Sequence, residues 1–228
     1  YDPVIVYPNA GSIGNNSDSG FPNLGLKYLL DEGYAIIHPM YYNTFNRKKT
    51  IRTFWASDSN EYKDAIIKIG QDYKRTLDYI ESRNDFNFDN MSYFGYSWGS
   101  TTSNYLLAID DRINKSFSVA GSYPMFLRID QKNFGDYEQH HLELYEKASY
   151  LDLYVMSSIG SDRKFVQIFN KFDPCCFSGI LFENYEDELI DILEKLNSGS
   201  FDIILDDTHK EHKISEYLSL IHISEPTR

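Results

Sequence analysis

Cysteine is scarce in this sequence, and the two cysteines that it has, Cys175 and Cys176, stand side by side. Adjacent cysteines cannot build a disulfide framework. We expect both thiols to be reduced packing residues rather than metal ligands or a vicinal disulfide. His140 and His141 are also adjacent, but no cysteine or carboxylate set with ligand spacing accompanies them. The sequence therefore predicts no metal site.

Positive charge is in deficit as well. The chain has 22 Lys and Arg residues against 34 Asp and Glu residues, which gives a formal net charge of −12. Such a charge argues against nucleic acid and anionic membrane surfaces as partners. No hydrophobic run approaches the length of a transmembrane helix, and there is no signal-peptide pattern.

Both ends of the sequence are unusual. The chain starts at Tyr1 without a methionine and enters a strand almost at once, so we expect a fragment or a trimmed chain that lacks its true N-terminus. Residues 219–228 resemble a translated sequencing-adapter read-through more than the natural end of a helix, and we treat them as a non-native tail. The cellular compartment is left open for this reason.

The composition is that of a protein with a packed core. Hydrophobic residues make up 42% of the 228 positions and aromatic residues 16%. This length suits one sizeable α/β domain and is too short for two comfortable ones. We expect a single domain over residues 1–218.

Short apolar runs alternate with amphipathic segments along most of the chain. Such alternation predicts a mostly parallel sheet covered by helices on both faces, with right-handed crossovers. The rhythm breaks over residues 122–161, which we interpret as a partly helical insertion that could cover the site. The predicted strands are residues 4–7, 34–38, 91–94, 115–121, 165–169 and 201–205, and the clearest predicted helices are 61–83 and 185–196.

The strand at 91–94 runs into Gly95-x-Ser97-x-Gly99, after which a helix is predicted. This order is typical of a nucleophile elbow, in which a strained backbone holds the serine hydroxyl clear of the sheet. The glycines are needed where a side chain would strike the neighbouring strand or helix. The helix directs its free N–H groups towards the place where an oxyanion forms.

Three predicted strand ends carry Ser97, Asp173 and His209, in that order. A serine hydroxyl becomes a good nucleophile when an imidazole takes its proton, and a carboxylate fixes the tautomer of that imidazole. The order Ser, Asp, His is the one expected for a hydrolase of this topology. His209 is the preferred base because it directly follows the last strand, whereas His212 lies one turn into a predicted helix. His212 remains the alternative base.

Donors for the oxyanion are expected at two places. The backbone N–H of Trp98 follows the nucleophile directly, and the small-residue loop after the first strand offers Ala10 or Gly11. Backbone groups in such a loop can approach a ligand closely. An ordinary surface loop is the alternative interpretation.

These motifs resemble those of α/β-hydrolases, in particular the dienelactone-hydrolase and acyl-peptidase-like branch. The resemblance covers roughly residues 3–218 and is carried by Gly-Tyr-Ser-Trp-Gly at 95–99, by His-Pro-Met-Tyr-Tyr-Asn-Thr-Phe-Asn-Arg at 38–47 and by the segment 72–83. It implies Ser97 as the nucleophile, Asp173 as the acid of an Asn-x-x-Asp loop, and His209 as the late histidine.

The sequence departs from this family in three places. The strands that usually precede Val4 are absent, so the strand at 34–38 is expected to form a bare sheet edge that favours edge-to-edge dimers or aggregation. Thr208-His209 replaces the usual Gly-His, which keeps His212 in consideration. Pro8-Asn9-Ala10-Gly11 replaces the usual oxyanion loop.

The resulting prediction is a serine hydrolase that cleaves a small-molecule acyl ester or a peptide-like substrate through an acyl-enzyme intermediate, without a cofactor. A peptidase or an acyltransferase with the same triad is one alternative. A catalytically inactive binding or scaffold protein is another, since a fold does not guarantee a function.

Overall fold

A computed structural model describes residues 1–7, 26–47, 49, 59–127, 142–174, 177–213 and 215. These residues form a six-stranded sheet in which every neighbouring pair of strands is parallel. The strands are β1 (Pro3–Tyr7), β2 (Ala35–Ile37), β3 (Ser92–Tyr96), β4 (Lys115–Val119), β5 (Lys164–Asn170) and β6 (Ser200–Asp206), in the spatial order β2-β1-β3-β4-β5-β6. The predicted parallel sheet is confirmed.

Six α-helices accompany the sheet in the described residues. They are α1 (Lys27–Asp31), α2 (Ser59–Glu81), α3 (Trp98–Leu106), α4 (Leu142–Tyr145), α5 (Tyr150–Ser158) and α6 (Glu186–Leu196). Short 3₁₀ turns lie at Phe45–Arg47, Phe88–Asn90, Met125–Leu127 and Leu181–Asn184. Within the described part of the chain, no helix has the length and apolar character needed to cross a membrane.

The four central strands, β1, β3, β4 and β5, are almost wholly buried, as parallel strands are when helices cover both faces of a sheet. The edge strands β2 and β6 are partly exposed. Along β1, Ile5 and Tyr7 enter one hydrophobic cluster and Val4 and Val6 enter the other. The first cluster contains apolar side chains from α2, α3, α5 and α6, and the second contains Leu29 of α1. The alternation of side chains along a strand thus divides the core into two layers.

The longest helix, α2, has the amphipathic pattern that the sequence predicts. Its buried hydrophobic residues recur at helical spacing, and they are Tyr62, Ala65, Ile69, Tyr73, Leu77 and Ile80. Ile69, Tyr73, Leu77 and Ile80 belong to the larger core cluster, whereas Tyr62 and Ala65 pack against Tyr42 and Ile66. The opposite face of the helix meets solvent. The ring of Tyr73 contacts the ring of Tyr93, so this helix packs against the elbow strand β3.

The segment predicted to be an insertion, 122–161, is only partly described. Its last helix, α5, is a core helix, because Tyr154 is fully buried and its ring contacts the rings of Phe165 and Tyr185. Ser149 and Asp152 form a capping box at its start. Residues 128–141, which include His140 and His141, lie outside the described residues, and a covering role for the segment stays a prediction.

The buried guanidinium of Arg163 joins the connection between α3 and β4 to the end of α5, at the end of the sheet where β4 and β5 begin. Its side chain donates five hydrogen bonds of 3.0–3.4 Å to backbone carbonyls, those of Leu107, Asp110, Ile113, Met156 and Ile159. Carbonyls buried without a donor cost free energy, so this side chain stabilises the ends of α3 and α5 against the sheet.

Replacing Arg163 with methionine should lower the free energy of unfolding by about 3 kcal/mol, because buried carbonyls lose their donors. Urea denaturation followed by circular dichroism measures this change. The control is Arg83→Met, which removes an exposed ion pair with Asp85 and surface contacts with Tyr79 and Phe86, and which should leave stability nearly unchanged. Equal stability of the two variants would contradict the role given to Arg163.

Candidate active site

Ser97 occupies a strained turn between β3 and α3. Its backbone has φ 55° and ψ −112°, a left-handed conformation that a serine rarely adopts. The backbone N–H donates to the Val119 carbonyl at 2.8 Å, and the Ser97 carbonyl accepts from the N–H groups of Ser100 and Thr101. These bonds to β4 and α3 hold the strained residue in place.

Two glycines let the elbow pack closely on its neighbours. A Cβ atom on Gly95 would lie 2.4 Å from the Gly99 carbonyl oxygen, and one on Gly121 would lie 2.1 Å from the Ser97 carbonyl oxygen. Real Cβ atoms essentially never come within 3.0 Å of such atoms. A side chain at either position therefore displaces the backbone that carries Ser97.

The described structure links three side chains by two hydrogen bonds. The hydroxyl Oγ of Ser97 lies 2.9 Å from Nε2 of His212, and Nδ1 of His212 lies 2.6 Å from Oδ2 of Asp173. Asp173 is buried, three residues beyond the end of β5, and its N–H donates to the Asn170 carbonyl. All three residues follow the carboxyl ends of strands, where ligands bind in open α/β sheets.

His209 does not reach Ser97. Its Nδ1 accepts from the Asn170 amide at 3.0 Å and from the Glu211 N–H at 3.2 Å, while its Nε2 lies 3.1 Å from Oδ2 of Asp206. Nδ1 is thus the acceptor of two hydrogen bonds, and Nε2 faces the carboxylate of Asp206. The contact expected between His209 and Ser97 is not formed, and His212 makes it instead.

The reason for this difference lies in the loop after β6. The sequence argument needed a helix to begin near residue 209, but residues 207–213 form bends without a helix. The loop turns His209 back over β5 and β6 and carries His212 across to the elbow. Position next to a strand end was therefore a poor guide to which histidine meets the serine.

The carboxylate that faces His209 is kept ionised by its surroundings. Burial alone would raise the pKa of Asp206, but hydrogen bonds from the Thr208 side chain and N–H and from the Ser215 side chain hold this pKa below its ordinary value, and electrostatic attraction by His209 adds to their effect. The Thr208 bonds to Oδ1 measure 2.6 and 2.9 Å. Asp206 and His209 thus form a second acid–histidine pair, which packs behind the loop and not at the nucleophile.

Trp98 is the first residue of α3, directly after Ser97, and its side chain is buried. The nine-residue helix places the positive end of its dipole at the serine. A role of the Trp98 N–H in holding an oxyanion stays a prediction. The other expected donors, Ala10 and Gly11, and the cysteines Cys175 and Cys176 lie outside the described residues.

No cluster of three or more His, Cys, Asp or Glu side chains that could hold a metal ion occurs among the described residues. The site is built from a hydroxyl, an imidazole and a carboxylate. This set suits nucleophilic attack on a carbonyl carbon followed by proton transfer.

Sequence reasoning missed three residues that shape this site. Gly121 admits the Ser97 carbonyl, Tyr96 donates its hydroxyl to the His212 carbonyl, and Asn170 donates its amide to the Glu211 carbonyl. Tyr96 lies inside the Gly-x-Ser-x-Gly motif and Asn170 is the first residue of the Asn-x-x-Asp loop. The motifs mark both positions, but they do not indicate what either side chain binds. No local signal marks Gly121.

Solved structures that share this architecture are α/β-hydrolases, and the chain has the α/β-hydrolase fold. The chain is similar to an acetyl xylan esterase from Paenibacillus sp. R4, with a TM-score of 0.62 and 16% identity, over 96% of this chain and 72% of that one. It is also similar to acetyl xylan esterase 1 from Thermoanaerobacterium sp. JW/SL YS485, with a TM-score of 0.57 and 13% identity, over 97% and 72% of the two chains.

An acylaminoacyl peptidase from Pyrococcus horikoshii is similar as well, with a TM-score of 0.56 and 14% identity, over 92% of this chain and 33% of the peptidase. No protein-family model and no curated protein sequence matches the chain. At these identities the likeness establishes the fold. Chemistry has to be argued from the site.

Proposed function

We propose that this chain is a serine hydrolase that cleaves ester-type bonds, with Ser97 as nucleophile, His212 as base and Asp173 as the carboxylate that orients the base. The observation that carries the proposal is the unbroken hydrogen-bond line from Ser97 through His212 to Asp173. The strained backbone of Ser97 at the start of α3 supports it, because this conformation persists only where the surroundings hold it.

Each group has a defined task in the reaction. His212 takes the proton from the Ser97 hydroxyl as Oγ bonds to the substrate carbonyl carbon, and Asp173 stabilises the imidazolium that results. The Trp98 N–H, at the positive end of α3, stabilises the negative oxygen of the tetrahedral intermediate. His212 then returns the proton to the departing alkoxide, and the acyl group stays on Ser97.

The second half of the reaction repeats these roles, with water as the nucleophile and Ser97 as the leaving group. A water molecule gives a proton to His212 as its oxygen attacks the acyl-enzyme, and the carboxylic acid leaves as Ser97 regains its hydrogen. Proton transfer and orientation in both halves fall to His212 and Asp173. The reaction balances with the substrate and water alone.

The choice of ester over amide rests on the neighbours of the fold. Two of the similar structures are acetyl xylan esterases, whereas the similarity to the acylaminoacyl peptidase favours peptide-like substrates as the second candidate. Hydrolysis of p-nitrophenyl acetate and butyrate beside N-acetylated aminoacyl p-nitroanilides separates the two. Turnover of the anilides alone would replace the esterase proposal with a peptidase.

A fluorophosphonate probe should form one covalent adduct, on Ser97, because His212 makes this hydroxyl more nucleophilic than the other serines. Mass spectrometry of tryptic peptides locates the adduct. Ser97→Ala should give no adduct, and Ser116→Ala, which alters a buried serine in β4, should label like the wild type.

Two outcomes would contradict this assignment. Labelling that persists in Ser97→Ala would move the nucleophile elsewhere. A folded wild-type chain that neither binds the probe nor hydrolyses any ester or anilide would favour an inactive binding protein.

A further inference from the structure

The loop that carries His212 has little regular structure to hold it. Residues 207–213 follow β6 without forming a helix or a strand. Nevertheless both ring nitrogens of His212 lie within hydrogen-bond distance of side chains on two other loops. A displacement of about 1 Å in such a contact can cost a hundredfold in rate, so the loop needs support from outside itself.

One support comes from Tyr96, the last residue of β3. Its hydroxyl donates to the backbone carbonyl of His212, and its ring lies 5.2 Å from the imidazole. The side chain is buried, and burial with the nearby Asp173 carboxylate raises the pKa of its hydroxyl. The Tyr96 hydroxyl therefore keeps its proton, and stays a donor, beyond the pH at which an ordinary tyrosine loses it.

A second support comes from Asn170, the last residue of β5, which is 3% exposed. Its amide nitrogen donates to the Glu211 carbonyl and to Nδ1 of His209, and its amide oxygen accepts from the Phe172 N–H at 2.9 Å. Because Phe172 directly precedes Asp173, one side chain connects the loop of the acid with the loop of the base. The separation of Asp173 and His212 is thereby restrained.

We propose that Tyr96 and Asn170 are positioning residues that hold the catalytic histidine by clamping two successive carbonyl groups of its loop, those of Glu211 and His212. The inference rests on the proposed function, in which His212 is the base. The two donors stand at the ends of β3 and β5, so the rigid sheet sets where the histidine lies. Neither residue exchanges a proton with substrate.

The clamp is tested by removing each donor alone and both together. Tyr96→Phe deletes one hydroxyl and keeps the ring, and Asn170→Ala deletes the amide. Each should lower kcat for p-nitrophenyl acetate by about tenfold with KM changed by less than about twofold, because binding is left intact and alignment is lost. The double variant should lose about a thousandfold, more than the product of the single effects, since each donor supports the loop when the other is absent.

Matched controls alter similar groups away from the loop. Tyr185 is 8% exposed, like Tyr96, and Tyr185→Phe removes a hydroxyl that donates to Gln167 at 2.7 Å. Asn114→Ala removes an amide that accepts from the Met91 N–H before β3. Both controls should keep kcat within about twofold, and thermal melts of all variants separate loss of fold from loss of alignment.

Proton NMR spectroscopy tests the positioning of His212 without substrate. The proton between His212 and Asp173 should give a far-downfield resonance in the wild type, which His212→Ala abolishes. In Tyr96→Phe and Asn170→Ala this resonance should broaden or vanish, because a looser loop exposes the proton to exchange with water. In the controls it should persist.

The outcomes distinguish the two proposals. A wild-type chain that shows the resonance but hydrolyses nothing would defeat the proposed function and leave the clamp to be judged on the resonance. Active variants with wild-type kcat and an unchanged resonance would overturn the clamp and leave the proposed function standing.

Discussion

Replacing His212 with alanine should lower kcat/KM for p-nitrophenyl acetate by about 10⁴-fold or more, because Ser97 then has no group to take its proton. His209→Ala should lower it by less than about tenfold. His209 contacts Asp206, Asn170 and the Glu211 N–H, so its loss affects only the support of the loop. Steady-state kinetics of the two purified variants beside the wild type measure both effects.

The comparison is sharp because the two histidines lie three residues apart in one loop. Thermal melts show whether either variant has lost its fold, and the rate of inactivation by a fluorophosphonate should follow kcat/KM. A large loss in His209→Ala with activity retained in His212→Ala would assign the base to His209. It would also mean that the loop is arranged differently in solution.

Gly121→Ala should both destabilise the chain and inactivate it. The added methyl group would lie 2.1 Å from the Ser97 carbonyl oxygen and 2.6 Å from Cβ of Ser100. Relief of this overlap has to separate β4 from the elbow, which we expect to cost about 3 kcal/mol of unfolding free energy. We also expect a loss of at least about a hundredfold in kcat, because Ser97 moves away from His212.

Gly70→Ala is the matched control. Gly70 lies in α2, and a Cβ atom there would make an ordinary contact of 3.5 Å with Ile109. Alanine is favoured over glycine inside a helix by about 1 kcal/mol, so this variant should be as stable as the wild type or more stable. Urea denaturation and ester turnover measure the pair. A Gly121→Ala chain that keeps wild-type stability and kcat would show that the elbow tolerates a side chain at its back.

Much of this fold could be predicted from local patterns. Apolar runs gave the sheet strands, and the helical stripe of α2 was evident because burial repeats every three or four residues. The motif around Ser97 predicts a turn between a strand and a helix, and the structure has that turn. Ser97 and Asp173 follow directly from strand ends, where the topology brings chemistry together.

The remaining features depend on distances between segments, which local patterns do not encode. The choice between His209 and His212 is decided by the path of a loop with no periodic signal. Gly121 is required because the chain after β4 passes close to the elbow. Tyr96 donates to a carbonyl more than 100 residues away along the chain, and Asn170 donates to one more than 40 residues away. The sequence shows each of these residues, but it does not show which atoms they contact.

The two ends of β5 have different tasks, one in stability and the other in positioning the proposed active site. Arg163, directly before the strand, binds backbone carbonyls of the scaffold, while Asn170 ends the strand and Asp173 follows it at the end that carries the proposed active site. Seven residues of strand separate these ends by roughly 23 Å. Effects of substitutions so far apart are expected to add independently. Substitutions near Arg163 can therefore change the free energy of unfolding without changing kcat. Substitutions near Asn170 and Asp173 can change kcat with little effect on stability at the Arg163 end.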